Sequence, residues 1–195
     1  HIVLSPETVS SNIEQYLVPI HQAAMNYQKI QITYKAFDAK QPTVNTIDPY
    51  YLFYRDGIWY FRGFYHLDKA PRTFALDRIV SLTLLNEHFV PTTLTPQEEL
   101  SGAFGAFIDG EPVDVVLKFD DEYKPLILRK TWHPSQQVEE LDDGFEVTFT
   151  VNGIWGIRQW IYQWMPHVEV IAPDELRNIF CDDMLSTLKK HGKIG

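Results

Sequence analysis

One stretch constrains the fold of this chain more than any other: two aromatic runs joined by a tight turn. The runs PYYLFYR (49–55) and IWYFRGFYH (58–66) flank Asp56-Gly57. An Asp-Gly pair between two strand-like runs favours a β-hairpin, because glycine reaches the positive φ that the turn needs. A β-sheet is therefore predicted around this hairpin. Alternation divides the second run into two faces: Trp59, Phe61 and Tyr65 on one, and Tyr60, Arg62, Phe64 and His66 on the other. We assign Trp59 and Phe61 to the core.

Further short elements surround this hairpin. Ser11 and Glu14 form a capping box ahead of apolar residues at helical spacing, and Pro19 either kinks this helix or starts a second one. The segment IQITYKAF (30–37) alternates like a strand, and residues 72–85 predict one strand or a strand pair. Short strands at close spacing are typical of a small curled sheet or barrel of the Sm or SH3 kind.

The second half of the chain has a different pattern. Residues 86–110 are rich in proline, threonine, glycine and acids, and TPQEELSGAFGAF (95–107) predicts a short helix beginning at Pro96. We place a domain boundary near residue 105. Later segments predict strands at 113–119, 136–141, 145–151 and 168–172, and helices at 123–132, 156–165 and 174–190. The resulting order, β-α-β-β-α-β with a final helix, is typical of a ferredoxin-like α/β sandwich.

The prediction is thus an α+β protein in three parts. Residues 1–29 form an N-terminal arm and linker helix, residues 30–105 a Sm-like or SH3-like barrel with a trailing linker, and residues 106–195 a ferredoxin-like domain.

Composition narrows the function classes. The net charge is −9, which argues against a protein that coats DNA, because phosphate binding requires a basic surface. A small basic pocket is still compatible with this net charge. The single cysteine, Cys181, excludes an internal disulfide and fits a reducing cytoplasm. We expect no membrane span and no secretory signal, since no apolar run is long enough.

The sequence contains no recognisable catalytic or metal-binding motif. The seven histidines are scattered, and DDEY (120–123) is typical of a solvated turn. No phosphate-binding loop, dinucleotide fingerprint or nucleophile motif occurs in the sequence. We therefore expect that the protein binds no metal and no cofactor and that it is not an enzyme.

Arg72 and Arg78 are the candidate binding residues that spacing singles out. They flank Phe74 and Leu76, where a core strand needs no arginine. One interpretation is a surface ion pair, with Arg78 meeting Asp77 or Asp68. The other is that both guanidinium groups reach one phosphate-bearing ligand, since each can donate two parallel hydrogen bonds.

The residues quoted so far resemble a known family, the WYL domain of bacterial transcription regulators. The triplet Trp59-Tyr60-Phe61 stands where the family has Trp-Tyr-Leu, and RTFALDRI (72–79) is similar to its arginine motif. This resemblance covers about residues 18–85. The segments WHPSQQVEEL (132–141) and GIRQWIYQWMPHVEVIAPDELR (156–177) resemble WCX, the C-terminal extension that often follows a WYL domain.

The resemblance implies a function. WYL domains are Sm-like barrels similar to ligand sensors, with nucleotides or short single-stranded nucleic acids as ligands, in regulators that act as cytoplasmic homodimers. In such regulators an N-terminal winged helix-turn-helix contacts operator DNA. In this sequence, the residues before residue 12 are too few for the three helices of that domain. The chain is then either a piece of a longer regulator, which the start without methionine favours, or a stand-alone sensor. The expected ligand contacts are Tyr34, Tyr60, Arg62, His66, Arg72, Arg78 and, from the WCX part, Arg158. A structural dimerisation module without a ligand is the alternative.

Overall fold

The computed structural model describes residues 13–55, 57–91, 95–96, 100–105 and 110–193. The chain forms two compact units, residues 1–96 and residues 97–195. Each unit contains one antiparallel sheet and at least one helix, which confirms the predicted α+β class. The three-part division with a boundary near residue 105 stays a prediction.

The first unit combines a helix near its start with a five-stranded sheet. The elements are α1 (Glu14–Met25), β1 (Gln28–Tyr34), β2 (Thr43–Arg55), β3 (Ile58–Tyr65), β4 (Ala70–Ala75) and β5 (Ile79–His88). The strand order is β4-β3-β2-β1-β5. Strands β4 and β5 are the two edges, so the sheet is open and not the closed barrel that the sequence suggested. A 3-10 turn, Leu76–Arg78, carries the chain from one edge to the other.

The helix and the hairpin of the first unit agree with their local signals. Pro19 lies inside α1, which continues past it as one helix. Gly57 has the positive φ, 81°, that the turn between β2 and β3 needs. The capping serine, Ser11, and the first turn residue, Asp56, lie outside the described residues.

The core of the first unit lies between α1 and one face of the sheet. Ile20 and Ala23 of the helix pack with alternate residues of β1, β2, β3 and β4. Phe61 is fully buried and stacks on Phe74 with ring centroids 5.1 Å apart. Trp59 and Tyr65 are partly buried against this core, as period-two counting predicts.

The second unit has the predicted order of elements. They are β6 (Pro112–Phe119), α2 (Lys124–Ile127), β7 (Gln137–Leu141), β8 (Gly144–Asn152), α3 (Trp155–Tyr162), β9 (Val168–Ala172) and α4 (Asp174–Lys190). The sheet order is β7-β8-β6-β9, and every pair is antiparallel. The sequence predicts a helix over residues 95–107. Pro96 and Leu100 are helical, whereas residues 97–99 and 106–107 are not among those that the structure describes.

Helix α2 is much shorter than the helix expected over residues 123–132. It ends at Ile127, whose carbonyl accepts a 2.6 Å hydrogen bond from the indole nitrogen of Trp132. This side chain satisfies a carbonyl that would otherwise need another helical turn. A tertiary contact therefore replaces the second half of the predicted helix.

The second unit has its own aromatic core. Trp160 of α3 and Trp164, which follows that helix, pack in one cluster with Phe119, Phe145 and Phe149 of the sheet. Trp155, at the start of α3, is by contrast half exposed. Among the described residues, no helix is both long and apolar enough to span a membrane.

Candidate functional site

The register between β3 and β4 decides which predicted site residues share a face. Gly63 pairs with Arg72, Phe61 with Phe74, and Arg62 with Thr73. Opposite residues of an antiparallel pair point to the same side of the sheet. Arg72 therefore lies on the face of Phe61 and Phe74, whereas Arg62 lies on the other. The structure thus divides the residues predicted to form one site between two faces.

A row of neighbouring side chains leads from Arg72 to Arg78. We call its five residues the arginine strip: Arg72, Tyr65, Phe74, Tyr34 and Arg78. Tyr65 lies beside Arg72, whose charge acts on its hydroxyl. The Tyr65 and Phe74 ring centroids are 5.9 Å apart, and those of Phe74 and Tyr34 are 5.2 Å apart. Tyr34 in turn lies within the field of Arg78. The structure thereby brings three of the predicted contacts together: Tyr34, Arg72 and Arg78.

Arg72 marks one end of the strip and is paired with an acid. Its Nε donates to the Asp68 carboxylate at 3.0 Å, and its Nη2 lies 2.9 Å from the same oxygen. The Arg72 side chain is 55% exposed. Within the described residues, the predicted surface ion pair thus exists at Arg72, and Arg78 pairs with neither Asp77 nor Asp68. Such exposed pairs contribute roughly 0–1 kcal/mol, so an incoming anion can replace Asp68 at low cost.

Arg78 marks the other end and lies beside an exposed aromatic ring. Its guanidinium carbon is 5.6 Å from the centroid of the Phe37 ring, within cation–π range. The Phe37 side chain projects from the loop after β1 and is 89% exposed. A solvent-exposed ring and a guanidinium thus stand together at this end of the strip.

Two tyrosine hydroxyls lie between the arginines. Tyr34 accepts a 3.1 Å hydrogen bond from the Ala75 amide, so its own hydrogen can still be donated. Burial raises the pKa of Tyr34, and the Ala75 amide and Arg78 oppose that rise. Burial also raises the pKa of Tyr65, and Asp68 adds to this effect. Both hydroxyls are therefore neutral near pH 7, and the hydrogen of Tyr34 is the one that can be donated to a ligand.

A buried asparagine fixes the Tyr65 end of this arrangement. The Tyr65 hydroxyl donates to the Asn45 side-chain oxygen at 2.7 Å. The amide nitrogen of Asn45 donates to the Thr43 carbonyl at 2.9 Å. Thr43 is also the residue of β2 that pairs with Tyr34 of β1. Asn45 therefore links the Tyr65 hydroxyl to the strand position opposite Tyr34.

The other face of the sheet carries Tyr60, Arg62 and His66. Arg62 is only 5% exposed and donates to the Thr73 hydroxyl at 3.2 Å. The ring of Tyr60 stacks on that of Phe53 at 5.4 Å. His66 Nε2 lies 2.7 Å from the Asp48 carboxylate. These three predicted contacts are thus held by neighbours on a face distinct from that of the strip.

Arg158 belongs to the second unit and is bound within it. Its Nε donates to the Tyr162 hydroxyl at 2.6 Å, and its Nη2 contacts the Asp183 carboxylate. The guanidinium also lies over the Trp155 ring, 4.8 Å from the centroid. Helices α3 and α4 therefore fix this arginine from several sides.

The sequence alone did not identify Phe37 or Asn45 as parts of the site. Phe37 ends the run 30–37, on the alternating face of Gln31, Thr33 and Lys35, and Asn45 precedes the run 49–55 that predicts a strand. An aromatic residue followed at once by the polar stretch DAKQP is the signal that would have indicated its exposure.

Comparison with known families identifies both halves of the chain. Residues 15–84 match the WYL domain, and residues 111–185 match the WCX domain. No curated protein matches the sequence.

Two solved structures are similar to this chain. One is proteasome accessory factor B/C (PafBC) of Arthrobacter aurescens, with 20% identity and a TM-score of 0.40 over 91% of this chain and 27% of that one. The other is a CRISPR Cas-related protein, with 9% identity and a TM-score of 0.56 over 93% of this chain and 51% of that one. The second likeness shows a shared fold, and this chain spans about half of that protein. From the two domain matches, this chain belongs to the family of WYL-domain proteins in which a WCX domain follows the WYL domain.

Proposed function

We propose that this chain is the ligand-sensing and dimerisation part of a bacterial transcription regulator. It binds a nucleotide or a short single-stranded nucleic acid and controls an attached domain that contacts operator DNA. It acts in the cytoplasm as a homodimer, by binding and not by catalysis. The strand orders support a Sm-like sheet for the WYL domain and a ferredoxin-like sandwich for the WCX domain.

The arginine strip is the observation that carries this proposal. Guanidinium groups suit phosphates, and aromatic rings suit bases irrespective of sequence. Arg72 and Arg78 stand at the two ends, and Phe37 offers an exposed ring beside Arg78. A ligand with at least one phosphate and one base therefore matches the chemistry of this face.

Ligand binding would be transmitted through the dimer. A ligand that prefers one dimer geometry shifts the population toward it and so changes the operator affinity of the attached domain. Tyr60, Arg62, His66 and Arg158 stay predicted contacts. Because they lie on another face or in the other unit, we expect their replacement to matter less than that of Arg72 or Arg78.

The test is a titration of labelled single-stranded oligonucleotides and of nucleotides into the wild type, Arg72→Ala, Arg78→Ala and the double variant at fixed salt. We expect each single variant to bind about tenfold more weakly, since a charge-assisted contact contributes about 1.5–3 kcal/mol and is partly exposed here. Phe37→Ala should weaken oligonucleotide binding by roughly 1–3 kcal/mol, whatever the base.

Arg177→Ala is the matched control, because Arg177 is also an exposed arginine paired with a nearby acid, Asp174, at 2.6 Å. It should leave the affinity unchanged. Equal affinities for the wild type and the Arg72/Arg78 double variant would refute the site.

A structural dimerisation module without a ligand is the second candidate function. The ion pair of Arg72 with Asp68 favours it, since the arginine already has a partner. Under this alternative, sedimentation shows a dimer, and no oligonucleotide or nucleotide binds to it or changes its dimeric state. Arg72→Ala then leaves both the dimeric state and the lack of binding unchanged.

A further inference from the structure

Three potential metal ligands converge at one end of the second sheet. His167 Nδ1 lies 2.7 Å from the Asp120 carboxylate and 3.3 Å from the Glu122 carboxylate. All three ligand atoms lie within 4.8 Å of one another. The sequence pattern predicts a solvated turn for these acids and no metal site, because His167 lies 45 residues or more further along the chain. Only the pairing of β6 with β9 unites them.

The backbone holds these residues in place. Asp120 follows the last residue of β6, and His167 precedes the first residue of β9, where Phe119 pairs with Val168. The Asp120 amide donates to the His167 carbonyl at 3.4 Å, which extends this pairing by one step. The Tyr123 ring stacks on the imidazole with centroids 4.0 Å apart. The ligand atoms are therefore positioned by a strand pair and by a ring contact.

The spacing of the ligand atoms fits a small divalent ion. Metal–nitrogen and metal–oxygen bonds of roughly 2.0–2.2 Å place tetrahedral ligand atoms about 3.4 Å apart. The two measured distances to Nδ1 are 2.7 and 3.3 Å, so an ion needs only a small outward shift of the Asp120 side chain. Both carboxylates are well exposed, which leaves them free to make that shift.

The local charge also favours a cation. The same cleft is lined by Asp143 and Glu169 in addition to Asp120 and His167. Lys118 lines it too, but its ammonium group is 2.8 Å from the Asp143 carboxylate, so that charge is already balanced.

We propose that Asp120, Glu122 and His167 bind one divalent transition-metal ion of the zinc class. One imidazole with two carboxylates suits zinc and its neighbours, whereas magnesium and calcium prefer oxygen ligands alone. Three protein ligands leave at least one position for water. The ion joins the end of β6 to the start of β9, the edge strand of the sheet, and therefore stabilises the second unit. This inference is independent of the arginine strip.

The experiment titrates zinc into chelator-treated protein by calorimetry and repeats the titration with cobalt, whose visible absorption reports the ligands. We expect one equivalent to bind and the melting temperature to rise with zinc concentration, since only the folded chain presents the three ligands together. His167→Ala should lose most of the affinity, and Asp120→Asn and Glu122→Gln should each reduce it by about tenfold or more, as about 1.4 kcal/mol per ligand implies.

His191→Ala is the matched control, because it removes an exposed histidine at the end of α4 and should leave binding unchanged. NMR amide signals near residues 120–123 and 166–169 should be the ones that cobalt broadens. Equal zinc affinity in His167→Ala and the wild type, broadening elsewhere, or binding of magnesium and calcium as tightly as zinc would each overturn the proposal. Circular dichroism of the metal-free variants shows whether a loss of binding reflects the ligands or the fold.

Discussion

Two arginines of this protein, Arg72 and Arg158, lie in different surroundings. Arg72 makes one exposed ion pair with the acid four residues before it. Arg158 binds a tyrosine and an acid and lies over a tryptophan ring. Burial alone would lower the pKa of Arg158, but hydrogen bonds to Tyr162 and Asp183 raise it. An arginine whose partners are this firmly fixed is better suited to holding α3 against α4 than to exchanging ligands.

At this scale, Asp183 gives a prediction about pH. The hydrogen bond from Tyr162, together with Arg158, lowers the pKa of Asp183 in the folded chain. A carboxyl whose pKa is lower in the folded than in the unfolded state stabilises the fold above its unfolded pKa, about 4. This contribution is lost as the pH falls through the folded pKa. Asp183→Asn should therefore lower the free energy of unfolding by about 1 kcal/mol at pH 7, a value reduced for partial exposure.

Urea unfolding between pH 2 and pH 7 measures this effect. The stabilities of the wild type and Asp183→Asn should converge below about pH 4, whereas Asp182→Asn, which changes the neighbouring exposed acid, should follow the wild type throughout. A gap between wild type and Asp183→Asn that stays constant with pH would contradict the pairing.

At the scale of the element, the contact between β2 and β3 leaves no room for a side chain at Gly63. A Cβ added there would lie 2.6 Å from the Asp48 carbonyl oxygen and 2.7 Å from the Ile47 side chain. Both neighbours belong to β2, so a larger residue must push the two strands apart. Gly63 also pairs with Arg72, so that shift would reach the arginine strip.

We therefore expect Gly63→Ala to lower the free energy of unfolding by roughly 1–3 kcal/mol, as overpacking does. Chemical denaturation followed by circular dichroism gives this value. Ligand affinity should fall as well, because the altered pairing moves Arg72. A variant as stable as the wild type would show that β2 yields easily at this contact.

At the scale of the whole molecule, two separate cores support two separate units. Each sheet packs on helices of its own unit, and among the residues that the structure describes, neither core cluster includes one from the other unit. A unit with its own core can in principle fold alone. Trp59 belongs to the first unit, and the other four tryptophans, Trp132, Trp155, Trp160 and Trp164, belong to the second.

A fragment of residues 97–195 should therefore unfold cooperatively by itself. Tryptophan fluorescence of the intact chain should report mainly on this unit, whereas far-UV circular dichroism follows both. We expect the fluorescence midpoint in urea to be close to that of the fragment. A fragment without near-UV circular dichroism or a cooperative transition would show that its core depends on the rest of the chain.

Local signals in the sequence determined the elements and the family. Alternation identified β1 and β3, and Asp56-Gly57 identified the hairpin. The final helix runs over Asp174–Lys190 as predicted. The motifs at residues 59–61 and 72–79 indicated the WYL domain, which the family match confirms. These features depend on neighbours a few residues apart, so the chain itself encodes them.

The tertiary structure decided what lies next to what. Register alone placed Arg72 on the face opposite Arg62, and an indole from Trp132 ended α2 early. The pairing of β6 with β9 brought His167 to Asp120, although neither spacing nor composition connects them. The physical reason is the same in each case. Strand register and side-chain contacts between distant segments depend on how the whole core packs, and a one-residue shift in register would reverse every face.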